Sequence, residues 1–231
     1  MIYVMSDIHG EYERYLAMLE KIGFGDEDTL FVLGDVIDRG PEPIKTLWDM
    51  SLRPNVYPVL GNHEYMALDV LRALMAEITE ENYRTGITAE VMQKLFLWQR
   101  EGGHVTLEQF RRLAAEDRFA LLDYLEEFER YQVTEVGETT YILVHAGLGN
   151  YAEGKRLSAY TTEELCFMRP TTEQWYYDRS VRVIAGHTPT ISLNGEARIL
   201  HSGNLSLIDC GATFGGKLAC LCLDDGREFY I

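Results

Sequence analysis

The chain has 231 residues, 46% hydrophobic and 25% charged, a make-up that excludes a disordered tail and suits one soluble folded domain. Its 21 Lys+Arg against 37 Asp+Glu leave a formal charge of -16, so the surface repels anions and a nucleic-acid duplex is excluded as the main partner. No apolar stretch approaches the roughly 20 residues of a membrane span.

The first residues, Met1 to Met5, lack a basic region and run straight into a polar motif, so no signal peptide is expected. Ile2 to Met5 read as a short buried strand that stops at Ser6-Asp7-Ile8-His9-Gly10. A helix should follow, with Tyr12, Tyr15, Leu16 and Leu19 on one face. Thr29 to Leu33 form the next strand, which ends in Gly34-Asp35-Val36-Ile37-Asp38-Arg39-Gly40. A helix from Pro43 to Met50 leads to a strand at Val56 to Leu60 and then to Gly61-Asn62-His63-Glu64. Strand, polar loop, helix, repeated, predicts a parallel βαβ core with the loops at the carboxyl ends of the strands, where ligands bind in such sheets.

Residues 66–130 read as almost wholly helical, broken at Glu101-Gly102-Gly103-His104, and are taken as a helical insertion that could cap the site. The whole of 1–231 is otherwise expected to be a single domain. From Tyr131 onward strands dominate: Tyr141 to Val144, Val181 to Ala185, Leu205 to Ile208 and Lys217 to Leu223, with 151–180 mixed. The four cysteines are Cys166, Cys210, Cys220 and Cys222. Cys220 and Cys222 alternate on one side of an apolar strand, no CxxC pair exists, and all four read as buried thiols of a reducing, cytoplasmic compartment.

Asp7, His9, Asp35, Asn62, His63, His145 and His187 all stand at strand ends. So many ionisable groups at buried strand tips would be costly without a purpose. Carboxylate and imidazole groups that converge are the usual ligands of catalytic metals. In Asp7-Ile8-His9 the polar side chains flank an apolar one, so both can face one ion; Asp35, rigid after its strand, could bridge two. Two cations about 4 Å apart can generate hydroxide near neutral pH and clamp both oxygens of an in-line displacement.

Five motifs stand together in order: Asp7-Ile-His9-Gly10, Gly34-Asp35-(x)2-Asp38-Arg39-Gly40, Gly61-Asn62-His63-Glu64, Val144-His145-Ala-Gly147 and Gly186-His187-Thr188. In this order the chain resembles the calcineurin-like metallophosphoesterases, and Asp38-Arg39-Gly40 resembles their serine/threonine phosphoprotein phosphatase branch. The resemblance implies a four-layer α/β/β/α sandwich of two mixed sheets with a helical insertion. It also implies two divalent metal ions, manganese first, with iron or zinc as alternatives. Asp7, His9 and Asp35 then look like ligands of the first ion, and Asp35, Asn62, His145 and His187 like those of the second. His63 beside Asp38 resembles the pair that protonates the leaving oxygen, and Arg39, Arg169 and Asn62 would hold the phosphate. The implied activity is hydrolysis of a phosphoprotein or a small phosphate ester by a metal-bound hydroxide, with no membrane partner and no oligomeric state specified.

Some positions depart from that branch. Leu60 stands where many phosphoprotein phosphatases carry arginine and resembles in this the diadenosine tetraphosphatases, although Asp38 and Glu64 depart from the latter. A dinucleoside tetraphosphate hydrolase is therefore the alternative, and a metal-binding scaffold without turnover the alternative of another class. Pro189 replaces a further histidine found in other metallophosphoesterases. His104 reads as a surface residue, His201 as part of a polar turn, Asp209 as either a turn residue or a support for the metal ligands, and Gly215-Gly216-Lys217 as a tight turn.

Overall fold

The computed structural model describes residues 1–75 and 88–231. Two five-stranded sheets carry the fold. In the first, β1 (Ile2–Met5), β2 (Thr29–Val32) and β3 (Val56–Pro58) run parallel, while β9 (Ala219–Cys222) pairs antiparallel with β1 and β10 (Glu228–Tyr230) antiparallel with β9. In the second, β5 (Thr139–Val144), β6 (Val181–Ala185) and β8 (Leu205–Leu207) run parallel between the antiparallel edges β4 (Tyr131–Val136) and β7 (Leu200–Ser202). This is the mixed two-sheet sandwich expected.

Side chains alternate across each strand, and the two faces enter different cores. Val4, Phe31 and Leu33 meet Leu143, Ile184 and Ile208 between the sheets. Tyr3, Met5, Leu30 and Val32 belong to the other core, with Tyr15, Met18 and Leu47 of the helices. Each fully buried large apolar side chain contributes about 1.5–3 kcal/mol, so a one-residue slip that exchanged the faces would be costly. Cys220 and Cys222 fall in the helix-side core, and Ala219 and Leu221 in the other, as the alternation requires.

Around the first sheet lie α1 (Tyr12–Ile22) and α2 (Pro43–Ser51), the second opened by Pro43, whose missing N–H costs nothing there. Helix α3 (Asn62–Met75) starts inside the Gly61-Asn62-His63 motif. Then come α4 (Ala89–Trp98), a turn over Gln99–Gly103 kinked at Gly102 (φ 107°), α5 (His104–Arg111) and α6 (Ala115–Glu126). The expected helical insertion is helical over most of its described residues, with turns at 112–114 and 127–130; its residues 76–87 lie outside the described residues. Helix α3 runs through residue 66, so that boundary is no break in the chain. Two short helices, α7 (Thr162–Cys166) and α8 (Thr190–Asn194), complete the set. Among the described residues no helix is long and apolar enough to cross a membrane.

Two readings need correction. The expected strand at Val56 to Leu60 is regular only to Pro58; Val59 still donates to Val32 O of β2 at 2.8 Å, but Leu60 donates to Glu129 O at 2.7 Å, away from β2. His201 does not lie in a turn but within β7, opposite Ser206, where its ring bonds Ser206 Oγ at 2.7 Å and Glu228 Oε1 at 2.9 Å.

Candidate metal centre

The carboxyl ends of β1, β2, β3, β5 and β6 supply the site, from loops that start within five residues of each strand. Asp7 and His9 follow β1, Asp35 follows β2, Asn62 and His63 follow β3, His145 follows β5 and His187 follows β6. Asp7, His9, Asp35, Asp38, Arg39 and His187 all have positive φ, between 47° and 73°. Such left-handed backbone costs free energy for non-glycine residues and tends to collect at functional sites. Asn62, His63 and Glu64 form the first turn of α3, whose His63 amide donates to Asp35 Oδ1 at 3.1 Å.

Two groups of metal-ligating atoms share Asp35: His9, Asp35 and His63 on one side, and Asp35, His145 and His187 on the other. The tautomers are set from behind. His9 Nδ1–H donates to Ile37 O at 2.9 Å and His145 Nδ1–H to Leu33 O at 2.6 Å, which turns both Nε2 lone pairs inward. His145 Nε2 then faces Asn62 Oδ1 at 2.9 Å, His187 Nδ1 at 3.2 Å and Asp35 Oδ1 at 3.3 Å. Acceptors so crowded, with no proton between them, are the partners of a cation. Protonating the imidazoles does not relieve this, since burial pushes His9 and His145 well below the usual histidine range, and His187 down to about 4. Burial, and then the mutual repulsion of Asp7 with Asp209 and of Asp35 with Asp7, raises the Asp7 and Asp35 carboxyls well above the usual range. This set of oxygen and imidazole donors fits manganese, iron or zinc.

His63 turns Nε2 toward this group, 3.8 Å from Asp35 Oδ2, and Nδ1 away from it. Its Nδ1–H donates to Asp38 Oδ2 at 2.6 Å, and both residues are fully buried. Arg39 spans the centre, Nη1 2.7 Å from His9 Nε2 and Nη2 3.0 Å from His63 Nε2, with its guanidinium carbon 5.1 Å from the centroid of the exposed Phe214 ring. Arg169 is exposed, and its charge bears on His187 and Asp209. Asp209 accepts from Gly211 N at 2.8 Å in a turn, and its charge raises the Asp7 carboxyl. Burial raises its carboxyl to about 6. His104 is exposed on α5, as expected.

Two contributions were not legible from the motifs. The buried Glu64 carboxylate accepts four backbone N–H groups, from Asp35 (2.9 Å), Val36 (2.8 Å), Ile37 (3.2 Å) and Gly61 (3.0 Å), and so ties the Asp35 loop to the start of α3. Its signal is its place four residues after Leu60, in the turn where a carboxylate caps amide groups. At Gly61 a Cβ would come within 2.4 Å of both Asp35 N and Asp35 Oδ1, so only glycine permits this approach. The second is a set of contacts from the insertion to Asp38, taken up below.

The electrostatics make the centre's stability depend on cation and pH together. The metal-free carboxyls of Asp7 and Asp35 hold protons to higher pH than in the unfolded chain, so metal-free stability from these groups falls as pH rises through their raised values. Cations bind the ionised form and compete with those protons. Manganese is therefore expected to raise the melting temperature by more at pH 7.5 than at pH 5; at a hundredfold excess over its dissociation constant the gain is about 2.7 kcal/mol. An equal shift at both pH values in differential scanning fluorimetry would show that these carboxylates do not take part.

A two-sheet fold with such a donor set is of the metallophosphoesterase class. The model of the calcineurin-like phosphoesterase family matches residues 1–220, and the chain belongs to that family. Among curated proteins it is similar to the symmetrical bis(5'-nucleosyl)-tetraphosphatase of Hamiltonella defensa, 28% identical over 199 residues, which cover 85% of this chain. The chain spans 62% of that relative's length. A crystal structure provisionally assigned as a diadenosine tetraphosphatase superposes with a TM-score of 0.65 at 16% identity, covering 100% of this chain and 92% of the other. A protein serine/threonine phosphatase from Saccharomyces cerevisiae gives 0.57 at 15% identity, covering 100% and 78%. At these identities the two structures speak for the fold alone.

Proposed function

We propose that the chain is a phosphomonoesterase of the serine/threonine protein phosphatase kind. The observation that carries this reading is the buried His63–Asp38 pair at 2.6 Å, beside the shared carboxylate of Asp35. A pair of this kind suits a leaving oxygen that needs a proton, as the alkoxide of a phosphoserine or of a small alkyl phosphate does.

In this reading Asp7, His9 and Asp35 hold one ion and Asp35, Asn62, His145 and His187 the other, manganese being first choice and iron or zinc second. Bound ions supply Lewis acidity and an activated water. Arg39, with Arg169 and the Asn62 amide, orients the phosphoryl group. As water oxygen bonds to phosphorus and the ester P–O bond breaks, His63 Nε2 gives its proton to the leaving oxygen while Asp38 holds Nδ1–H. Residues 1–231 act as one domain, with 66–130 as an insertion that walls the site. Four buried free thiols support a cytoplasmic setting.

A second reading, hydrolysis of dinucleoside tetraphosphates, is favoured by the name of the Hamiltonella relative and by Leu60. Leu60 is buried, so position 60 adds no cation for phosphate. Manganese-loaded protein should be assayed on a phosphoserine peptide, p-nitrophenyl phosphate and diadenosine tetraphosphate. We expect kcat/KM to favour the monoesters. A preference for the dinucleotide above roughly 100-fold, near 3 kcal/mol, would replace the first reading with the second. No turnover on any of them would leave a scaffold.

A further inference from the structure

The Asp38 carboxylate receives more than His63. Trp98 Nε1–H donates to Oδ2 at 2.7 Å and Thr106 Oγ1–H to Oδ1 at 2.5 Å, while the Thr106 oxygen accepts from the Asp38 amide at 3.0 Å. All four side chains, Asp38, His63, Trp98 and Thr106, are fully buried. Trp98 ends α4 and Thr106 lies in α5, and the kink between them at Gly102 (φ 107°) sets their approach. At Gly103 a Cβ would come within 2.4 Å of Trp98 Nε1, so glycine there is needed for the indole to reach the carboxylate. The same turn reaches Arg39, whose amide donates to Gly102 O and whose Nε donates to Glu101 O, both at 3.3 Å.

We propose that Trp98 and Thr106, carried by the helical insertion, are positioning residues for proton transfer by His63, which rests on the acid role assigned to His63 above. A carboxylate with one donor can rotate. One held by an indole and a hydroxyl on separate oxygens presents a fixed lone pair to Nδ1–H and so aims Nε2 at the leaving oxygen. The insertion thereby acts as part of the catalytic apparatus, through Asp38.

Trp98→Phe removes one hydrogen bond and Thr106→Val two, to the Asp38 carboxylate and from its amide, while both keep most of the volume; Thr106→Ser restores the hydroxyl. Turnover is measured on phosphate monoesters whose leaving alcohols span a range of pKa, with manganese content and the downfield proton resonance of His63 Nδ1–H recorded for each variant. We expect kcat on the alkyl phosphates to fall at least ~10-fold in both variants, with p-nitrophenyl phosphate changed by less than about 3-fold, metal content unchanged, the resonance shifted, and Thr106→Ser close to wild type. A loss equal across leaving groups, or none, with an unshifted resonance, overturns the proposal. His63→Ala is run beside them: if it depends on the leaving group while these variants do not, the positioning role alone fails. If His63→Ala is flat as well, the acid reading fails and takes the positioning role with it.

Discussion

Replacement of His63 by alanine is expected to lower kcat on a phosphoserine peptide by about 10²–10⁴-fold, the range found when a general acid is lost. The same variant should lose far less on p-nitrophenyl phosphate, whose phenolate leaves without help. The argument rests on geometry: His63 Nδ1–H is committed to Asp38 at 2.6 Å, which leaves Nε2, 3.0 Å from Arg39 Nη2, as the ring nitrogen that faces substrate. His63 Nε2 also lies 3.8 Å from Asp35 Oδ2 and shares a group of ligating atoms with His9 and Asp35. Metal content separates the two roles. As acid, His63→Ala keeps both ions; as ligand, it loses one, and turnover falls on every substrate alike.

Asp35→Asn should have the larger effect. Asp35 is the one residue present in both groups of ligating atoms, so a neutral side chain there weakens both ions at once. Loss of several kcal/mol of Lewis-acid stabilisation corresponds to a fall in kcat/KM of roughly 10³-fold or more. The substitution need not damage the fold. In the metal-free protein the Asp35 carboxylate is buried and repelled by Asp7 and Glu64, which is why its carboxyl is raised so far. Asparagine removes that repulsion and can still accept the His63 amide now held at 3.1 Å. In chelator, therefore, the variant should melt at or above wild type, while manganese stabilises it much less. A variant that melted well below wild type in chelator would make Asp35 a structural residue.

How much of this could be seen in the sequence follows from how far each interaction reaches. The site residues sit at the ends of apolar strands, and that pattern is local: Asp7 two residues after β1, Asp35 three after β2, His145 directly after β5. The parallel β1–β2–β3 order and the inter-sheet alternation through Cys220 and Cys222 were legible for the same reason. The edges were not. Strands β7 and β10 have three residues each, too few to show an alternation, so His201 reads as a turn although it pairs with Ser206. The supports of Asp38 come from 60 and 68 residues away, and neither Trp98 nor Thr106 stands in a motif. Gly102-Gly103 was the visible trace of that contact, and it reads as a break in a helix until the indole is seen against Gly103. Left-handed backbone at Asp7, His9 and Asp35 carries no sequence signal either, because these residues tolerate it where the surrounding hydrogen bonds impose it.

Metal analysis of purified protein after manganese loading and desalting bears most directly on whether six scattered residues form one bimetallic centre that shares Asp35. Close to two ions per wild-type chain, and few or none in Asp35→Asn, is the expected result. A single ion in wild type, or two ions retained by the asparagine variant, would contradict it.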